Sequence, residues 1–259
     1  SGNIKIITKK PDSSGLDYGF DVEYGSIKKG ATDNSLEAFV NLPIGSHLAA
    51  RLSAYDVNDG GWIDNMPSQY TYQNNGINTT INNYTDPYDV AERNYNDSSK
   101  EGTRFRVSGE FNKFNLDLSF LRQDSVYNGS YETDVTNDTQ TAPMPEHTNT
   151  RYSPEKYEDT FDQMSFTLSG NLTDDIDIVL TSSIFERDTD YTYDYASYVE
   201  YYYFAAYSYY VCNYYEYYGY YYIDINDCRD PRMTYAQSND MERTATEIRI
   251  SSNNESGFN

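Results

Sequence analysis

The side chains with chemistry to offer are concentrated near the C-terminal end. The run YTYDYASYVEYYYFAAYSYYVCNYYEYYGYYYIDINDC, residues 191–228, holds 17 of the chain's 30 tyrosines. Tyrosine joins a broad apolar ring to one hydroxyl and has few rotatable bonds, so a loop rich in it grips varied ligands at low entropic cost. Tyr201, Tyr203, Tyr207 and Tyr210 are the expected ligand contacts, and a flat aromatic is the ligand such rings suit. The same rings could instead form an aromatic girdle at headgroup level or pack the loop against itself. β-Aggregation weighs least, because Asp and Glu interrupt the run.

Cys212 and Cys228 are the only cysteines, with 15 residues between them. Should the chain be exported, an even count points to a disulfide, with two free thiols as the alternative. Closing a loop of that size would contribute roughly 3 kcal/mol in the chain-entropy treatment. Two cysteines do not make a zinc site, and His47 and His147 are not spaced to help them. The run DVNDGG at 56–61 lacks the fifth-position ligand and terminal Glu of a calcium loop, so it reads as an acidic loop. The sequons at Asn83-Tyr84-Thr85 and Asn128-Gly129-Ser130 follow from abundant Asn, Thr and Ser. No Ser-His-Asp set, Cys-His set, P-loop or G-x-G-x-x-G motif is present, so an enzyme has no chemistry to stand on and no cofactor is expected.

Something must position those rings, and the periodicity says what. Phe114, Leu116, Leu118 and Phe120 alternate with Asn115, Asp117 and Ser119; Phe105, Val107, Gly109 and Phe111 alternate with Arg104, Arg106, Ser108 and Glu110. Period two is the mark of a strand with one apolar and one polar face. A turn at Asn112-Lys113 joins these two, and a second hairpin turns at Thr173–Asp175 between Met164–Leu172 and Ile176–Ile184. Tyr18–Tyr24, Leu36–Leu42, Leu48–Ala54 and Thr246–Ile250 alternate too, which makes about eight strands.

Composition limits what these strands can build. Only 37% of the 259 residues are apolar, and 16% are aromatic, too many for a disordered chain. A net charge of -22 with only 19 Lys and Arg excludes a nucleic-acid surface. The longest apolar runs are a few residues, too short for a membrane helix. The connections carry the stronger signal: turns after residues 42, 111 and 172 are short, whereas those around 60–102, 125–160 and 190–242 are dozens of residues long. Long structureless loops count against a compact soluble domain, but short turns at one end and long loops at the other describe an outer-membrane barrel. The expected fold is therefore an all-β, antiparallel transmembrane barrel, with a soluble β-sandwich as the alternative. The apolar face would meet lipid, while Arg51, Arg104, Arg106, Glu110 and Asp117 would line a watery lumen.

The opening residues GNIKIITKKP (2–11) resemble the last plug strand of TonB-dependent outer-membrane receptors, of the form G-x-I-x-I-I-T-K-x-P. EYGSIKKG (23–30), NLPIGSHLAARLSAYDVNDGGWIDN (41–65) and RTATEIRISS (243–252) resemble barrel strands and turns of the same family, so the resemblance covers most of the chain. It implies that residues 1–12 end a plug and residues 13–259 form about eight strands of a 22-stranded barrel. A complete eight-stranded barrel is the strict alternative; on the family reading the chain is a piece, because an open sheet in lipid leaves two edges unpaired.

The resemblance further implies high-affinity capture of a scarce nutrient complex in the bacterial outer membrane, with lipid and lipopolysaccharide around it and TonB delivering energy through a segment ahead of residue 1. A ferric siderophore is the leading ligand, with cobalamin, haem and oligosaccharides as others. The competing class is a non-transporting adhesin or secreted β-sandwich binding protein.

Overall fold

The computed structural model describes residues 8–74, 77–87, 89–136, 142–196, 212–228 and 232–252. Among them every element is a strand, and eight form one antiparallel sheet. In spatial order these are β1 (Asp17–Ser26), β2 (Thr32–Ile44), β3 (Leu48–Asp59), β7 (Ser98–Phe111), β8 (Phe114–Asn128), β10 (Lys156–Thr173), β11 (Ile176–Asp194) and β14 (Thr234–Ser252). The protein is all-β, as the alternation requires.

The predicted hairpins are present. Asn112 takes φ 55° in the two-residue turn between β7 and β8, a left-handed conformation that Asn tolerates better than other side-chain-bearing residues. Gly45 takes φ 70° between β2 and β3, and Asp174-Asp175 joins β10 to β11. At the other end, 60–97, 129–155 and 195–233 connect the strands, while the first connection, 27–31, is short.

The register sorts side chains by face. One row reads Tyr18, Val40, Leu52, Phe105, Phe120, Met164, Ile184 across seven strands. Rows nearer the short turns carry Val107, Leu118 and Phe166, then Leu116, Leu168, Leu180 and Ile248. From Phe114 to Phe120 this apolar band spans about 20 Å of strand, close to the height of a membrane barrel's lipid belt. No described strand lies over it. Phe20 is 78% exposed and Ile248 65%, values that a sandwich core would not permit. A buried hydrophobic cluster, Ile81, Tyr152 and Ala196, sits instead among the loops.

Two expectations need correction. The strands outrun the apolar band: β8 continues to Asn128, β11 to Asp194, and β14 begins at Thr234 rather than near Thr246. The row beyond the band holds Arg122, Asp162, Glu186 and Glu242 on the same face as the apolar residues, while the other face mixes Gln123, Phe161 and Arg187, so the alternation vanishes. The long loops are also structured, with a parallel bridge between β4 (Asp64–Asn65) and β9 (Thr148–Asn149) and hairpins β5–β6 (Gln69–Asn74, Ile77–Asn82) and β12–β13 (Cys212–Tyr217, Tyr220–Cys228).

Residues 1–7, most of the plug-like stretch, lie outside the described residues; Thr8–Pro11 form no strand. They rest on the polar face, where Arg106 Nη1 donates to Thr8 O at 3.2 Å and Thr8 Oγ1 at 3.1 Å. The sheet remains open: β1 and β14 are its edges and do not pair with each other. A closed eight-stranded barrel is not formed by the described residues.

Candidate functional site

The polar face carries the groups able to bind. Near its middle, Arg106 grips Asp117 by Nε at 3.0 and 3.1 Å and by Nη2 at 2.8 Å, across the hairpin β7–β8. Arg187 on β11 holds Asp159 on β10 the same way, at 2.8 and 2.7 Å. Two-point pairing of a planar guanidinium with a carboxylate fixes direction as well as charge. Gly102 permits the crossing above them: a Cβ there would lie 2.4 Å from the Tyr55 ring, which reaches past β7 to hydrogen-bond Gln123 on β8.

Toward the loop end the same face becomes aromatic. Tyr127, Tyr157 and Tyr191 are successive cross-strand partners on β8, β10 and β11. Their ring centroids are 5.8 Å apart for Tyr127–Tyr157 and 6.1 Å for Tyr157–Tyr191. Tyr193 stacks on Tyr191 at 6.0 Å, and Tyr235 on β14 approaches Tyr191 at 6.5 Å. Arg187 Nη2 donates to the Tyr157 hydroxyl at 3.3 Å, tying this shelf to the charged layer. Phe161 and Phe185, 5.7 Å apart, continue the apolar surface toward the middle. The result is an aromatic wall, able to stack a flat ring or the faces of a sugar.

The loops above are braced by amide side chains. Asn65 Oδ1 accepts from Arg151 N at 2.7 Å, and its Nδ2 donates to Val90 O at 2.7 Å and Arg151 O at 3.1 Å. Asn83 bonds Ser68 N, Met66 O and Arg151 O at 2.7, 2.8 and 3.0 Å. Asn96 Oδ1 accepts from Trp62 N and Ile63 N at 2.8 and 2.7 Å. Each amide acts as a surrogate peptide group, satisfying buried backbone that no sheet ladder reaches.

A buried ion pair closes this layer. Arg151 Nε lies 3.4 Å from Glu155 Oε1, and Arg151 Nη1 reaches Asp134 at 3.2 Å. Glu155 Oε1 also accepts from Asp194 N at 3.3 Å, while Glu155 N donates to the Tyr95 hydroxyl at 2.9 Å. Burial raises the Glu155 carboxyl, against the opposing pull of Arg151, to about 7. Burial likewise pushes the Tyr95 hydroxyl well above its ordinary value.

Tyr201, Tyr203, Tyr207 and Tyr210 lie outside the described residues. Of the cysteines the backbone is described: Cys212 and Cys228 are direct cross-strand partners in β12–β13. The tip of that hairpin is exposed, with Tyr217, Tyr218, Tyr220 and Tyr221 facing solvent. His47 sits in the β2–β3 turn and His147 beside Trp62, with no metal-binding cluster among the described residues. The shelf formed by Tyr127, Tyr157 and Tyr191 was not anticipated. The signal was present in its phase: each tyrosine falls on the polar face of its strand, at the loop end.

Comparison of the chain with protein families, with curated proteins and with solved structures finds no match in any of the three.

Proposed function

We propose that this chain is part of an outer-membrane receptor of the TonB-dependent kind, taking up a scarce nutrient complex, foremost a ferric siderophore. In this reading residues 1–12 end the plug, residues 13–259 form the first strands of a larger barrel, and TonB supplies energy through a segment ahead of residue 1. One observation carries it: the sheet leaves its apolar face uncovered while its polar face holds a chain segment, two guanidinium–carboxylate pairs and an aromatic shelf. A soluble protein buries the first face in its own core, whereas a transporter turns that face to lipid and keeps the polar face on a watery lumen. The open edges at β1 and β14 fit a sheet that gains further strands, since lipid tolerates no unpaired ladder.

The shelf would take the ligand as it descends, with the exposed tyrosines of β12–β13 meeting it first. A Cys212–Cys228 disulfide would hold that hairpin closed, because antiparallel partners bring Cα atoms to about 4.5–5.5 Å, within disulfide range. The exposed hairpin would also serve a non-transporting adhesin, and one experiment separates the two. A deletion strain carrying the full-length gene on a plasmid accumulates iron from radiolabelled ferric chelates, and collapse of the proton gradient abolishes that accumulation. Iron accumulation indifferent to the gene for every ferric chelate contradicts the proposal.

A further inference from the structure

The apolar face of the sheet ends on an acidic row. Glu186 stands two residues above Ile184 on β11, about 7 Å along the strand, and its direct cross-strand partners are Asp162 on β10 and Glu242 on β14. One row higher, Asp188 faces Asp240. Like charges directly opposite on a sheet destabilise it, so these carboxylates need compensation. Arg122, in the same row as Glu186, is engaged by Asp124 at 3.1 Å and Asp162 at 2.9 Å. No Lys or Arg among the described residues pairs with Glu186, Glu242, Asp188 or Asp240, and all four are exposed. A strand added beyond β14 would adjoin Glu242, but Glu186 would keep a carboxylate on each side.

Directly beneath this row the apolar face is hollowed. Phe120, Met164 and Ile184 form one row, and Leu118, Phe166 and Ser182 form the next. Ser182 is small, and its hydroxyl shares a 3.0 Å hydrogen bond with that of Thr246. The step down to it leaves a groove of about 350 Å³ walled by Met164, Phe166 and Ile184. An apolar groove topped by uncompensated carboxylates fits an amphiphile with hydrocarbon below and positive charge above. A second copy of this chain would set acidic row against acidic row, and a headgroup of net negative charge would meet the same repulsion.

Resting on the outer-membrane reading above, we infer that this face seats a lipid whose headgroup ends in a primary ammonium, with an acyl chain in the groove and the ammonium at Glu186 and Glu242. The ammonium has three N–H groups to donate, and the two carboxylates stand on neighbouring strands within its reach. Binding neutralises a pair that the sheet otherwise holds at a cost.

The test uses the full-length protein carrying Trp62→Phe and Phe166→Trp, which puts the reporter in the groove. It is placed in bilayers where bromine-labelled phosphatidylethanolamine, phosphatidylcholine or phosphatidylglycerol competes with unlabelled phosphatidylcholine. Quenching against mole fraction gives the affinity of each headgroup at the groove. The ethanolamine lipid is favoured about threefold over the choline lipid, which has the same net charge but no N–H to donate. Glu186→Gln together with Glu242→Gln brings that ratio to about one. Asp174→Asn, a carboxylate at the turn end of the sheet, leaves it unchanged. The double variant melts no lower than the unaltered protein, because it removes a repulsion, so loss of the preference is not loss of the fold. Equal quenching by the ethanolamine and choline lipids overturns the ammonium inference and leaves the uptake reading standing. A preference for phosphatidylglycerol that magnesium induces does the same, since it marks a phosphate bridged by a cation. Quenching by none of the three shows that the groove does not face hydrocarbon and removes both.

Discussion

Tyr157 and Tyr191 face each other across β10 and β11 with ring planes at 71° and centroids 6.1 Å apart, and Tyr127 flanks Tyr157 on the other side. Edge-to-face pairs of this kind are worth about 0.5–1.5 kcal/mol beyond the area they bury. They make the shelf a rigid surface instead of three mobile side chains. Tyr191→Ala should therefore weaken capture of whichever ferric chelate supports uptake by about three- to tenfold. Tyr157→Phe, which keeps the ring and loses only the contact with Arg187, should cost less. Half-saturation of radiolabelled uptake reads both, and an unchanged value for Tyr191→Ala would remove the shelf from the ligand's path.

The loop layer should fail as a unit when one amide is changed. Asn65 is 2% exposed and bonds three backbone groups from two different loops. Asn65→Asp replaces a donor by a buried carboxylate that faces two carbonyls, at a cost of about 1–3 kcal/mol or more. Asn65→Leu leaves the same backbone groups unpaired. Limited proteolysis should cut within 60–97 and 129–155 in both variants, while the strand signal in circular dichroism stays intact. Cleavage no faster than in the unaltered protein would show that the amides are not the brace.

The Glu155 latch makes the loop layer sensitive to pH. Its folded value of about 7 lies above the ordinary 4.5, so the folded state holds the proton more tightly than the unfolded chain. Stability therefore rises as pH falls from about 7 toward 4.5 and is lost as pH climbs through 7. The groups acting on the carboxyl are Arg151, the Ser130 hydroxyl, the Asp194 amide and the Asp194 carboxylate, with Asp134 drawing Arg151 from the other side. Glu155→Gln, a permanent mimic of the neutral form, should flatten the pH dependence and stabilise the layer at alkaline pH by up to ~3 kcal/mol. Hydrogen exchange at the Tyr152 and Asp194 amides, corrected for intrinsic rates, measures it. A variant that tracks the unaltered protein across the range contradicts the latch.

The cysteine pairing has its own readout. Non-reducing peptide mapping of protein from the cell surface should recover Cys212 and Cys228 in one linked fragment, and Cys212→Ser should lower the protease resistance of the β12–β13 hairpin. Free thiols at both positions would return the hairpin to backbone hydrogen bonds alone.

Where the sequence was legible, the reason is that one face had to be apolar. Phe105, Leu118, Met164 and Ile184 announce their rows because polar residues alternate with them, and the register confirms each. The upper halves of β8, β10 and β11 were illegible for the opposite reason. Once a strand leaves the apolar band, Arg122 and Asp162 occupy the face that Phe120 and Met164 hold one row below, while the other face mixes Gln123 with Phe161 and Tyr157, so neither face keeps one character and no period survives. The Asn65, Asn83 and Asn96 brace read as loop composition, since nothing local marks an amide that will bond backbone from another loop. The tyrosine run drew attention by abundance, whereas Tyr157 and Tyr191 matter by phase and height.

The account stands on which face meets hydrocarbon. In a Trp62→Phe background, single tryptophans introduced as Leu118→Trp and Ser119→Trp sit on opposite faces of β8 at nearly the same height. With the full-length protein in bilayers whose acyl chains carry bromine, the Leu118→Trp emission should be strongly quenched and the Ser119→Trp emission should not. Quenching of neither, or of Ser119→Trp alone, would contradict the account.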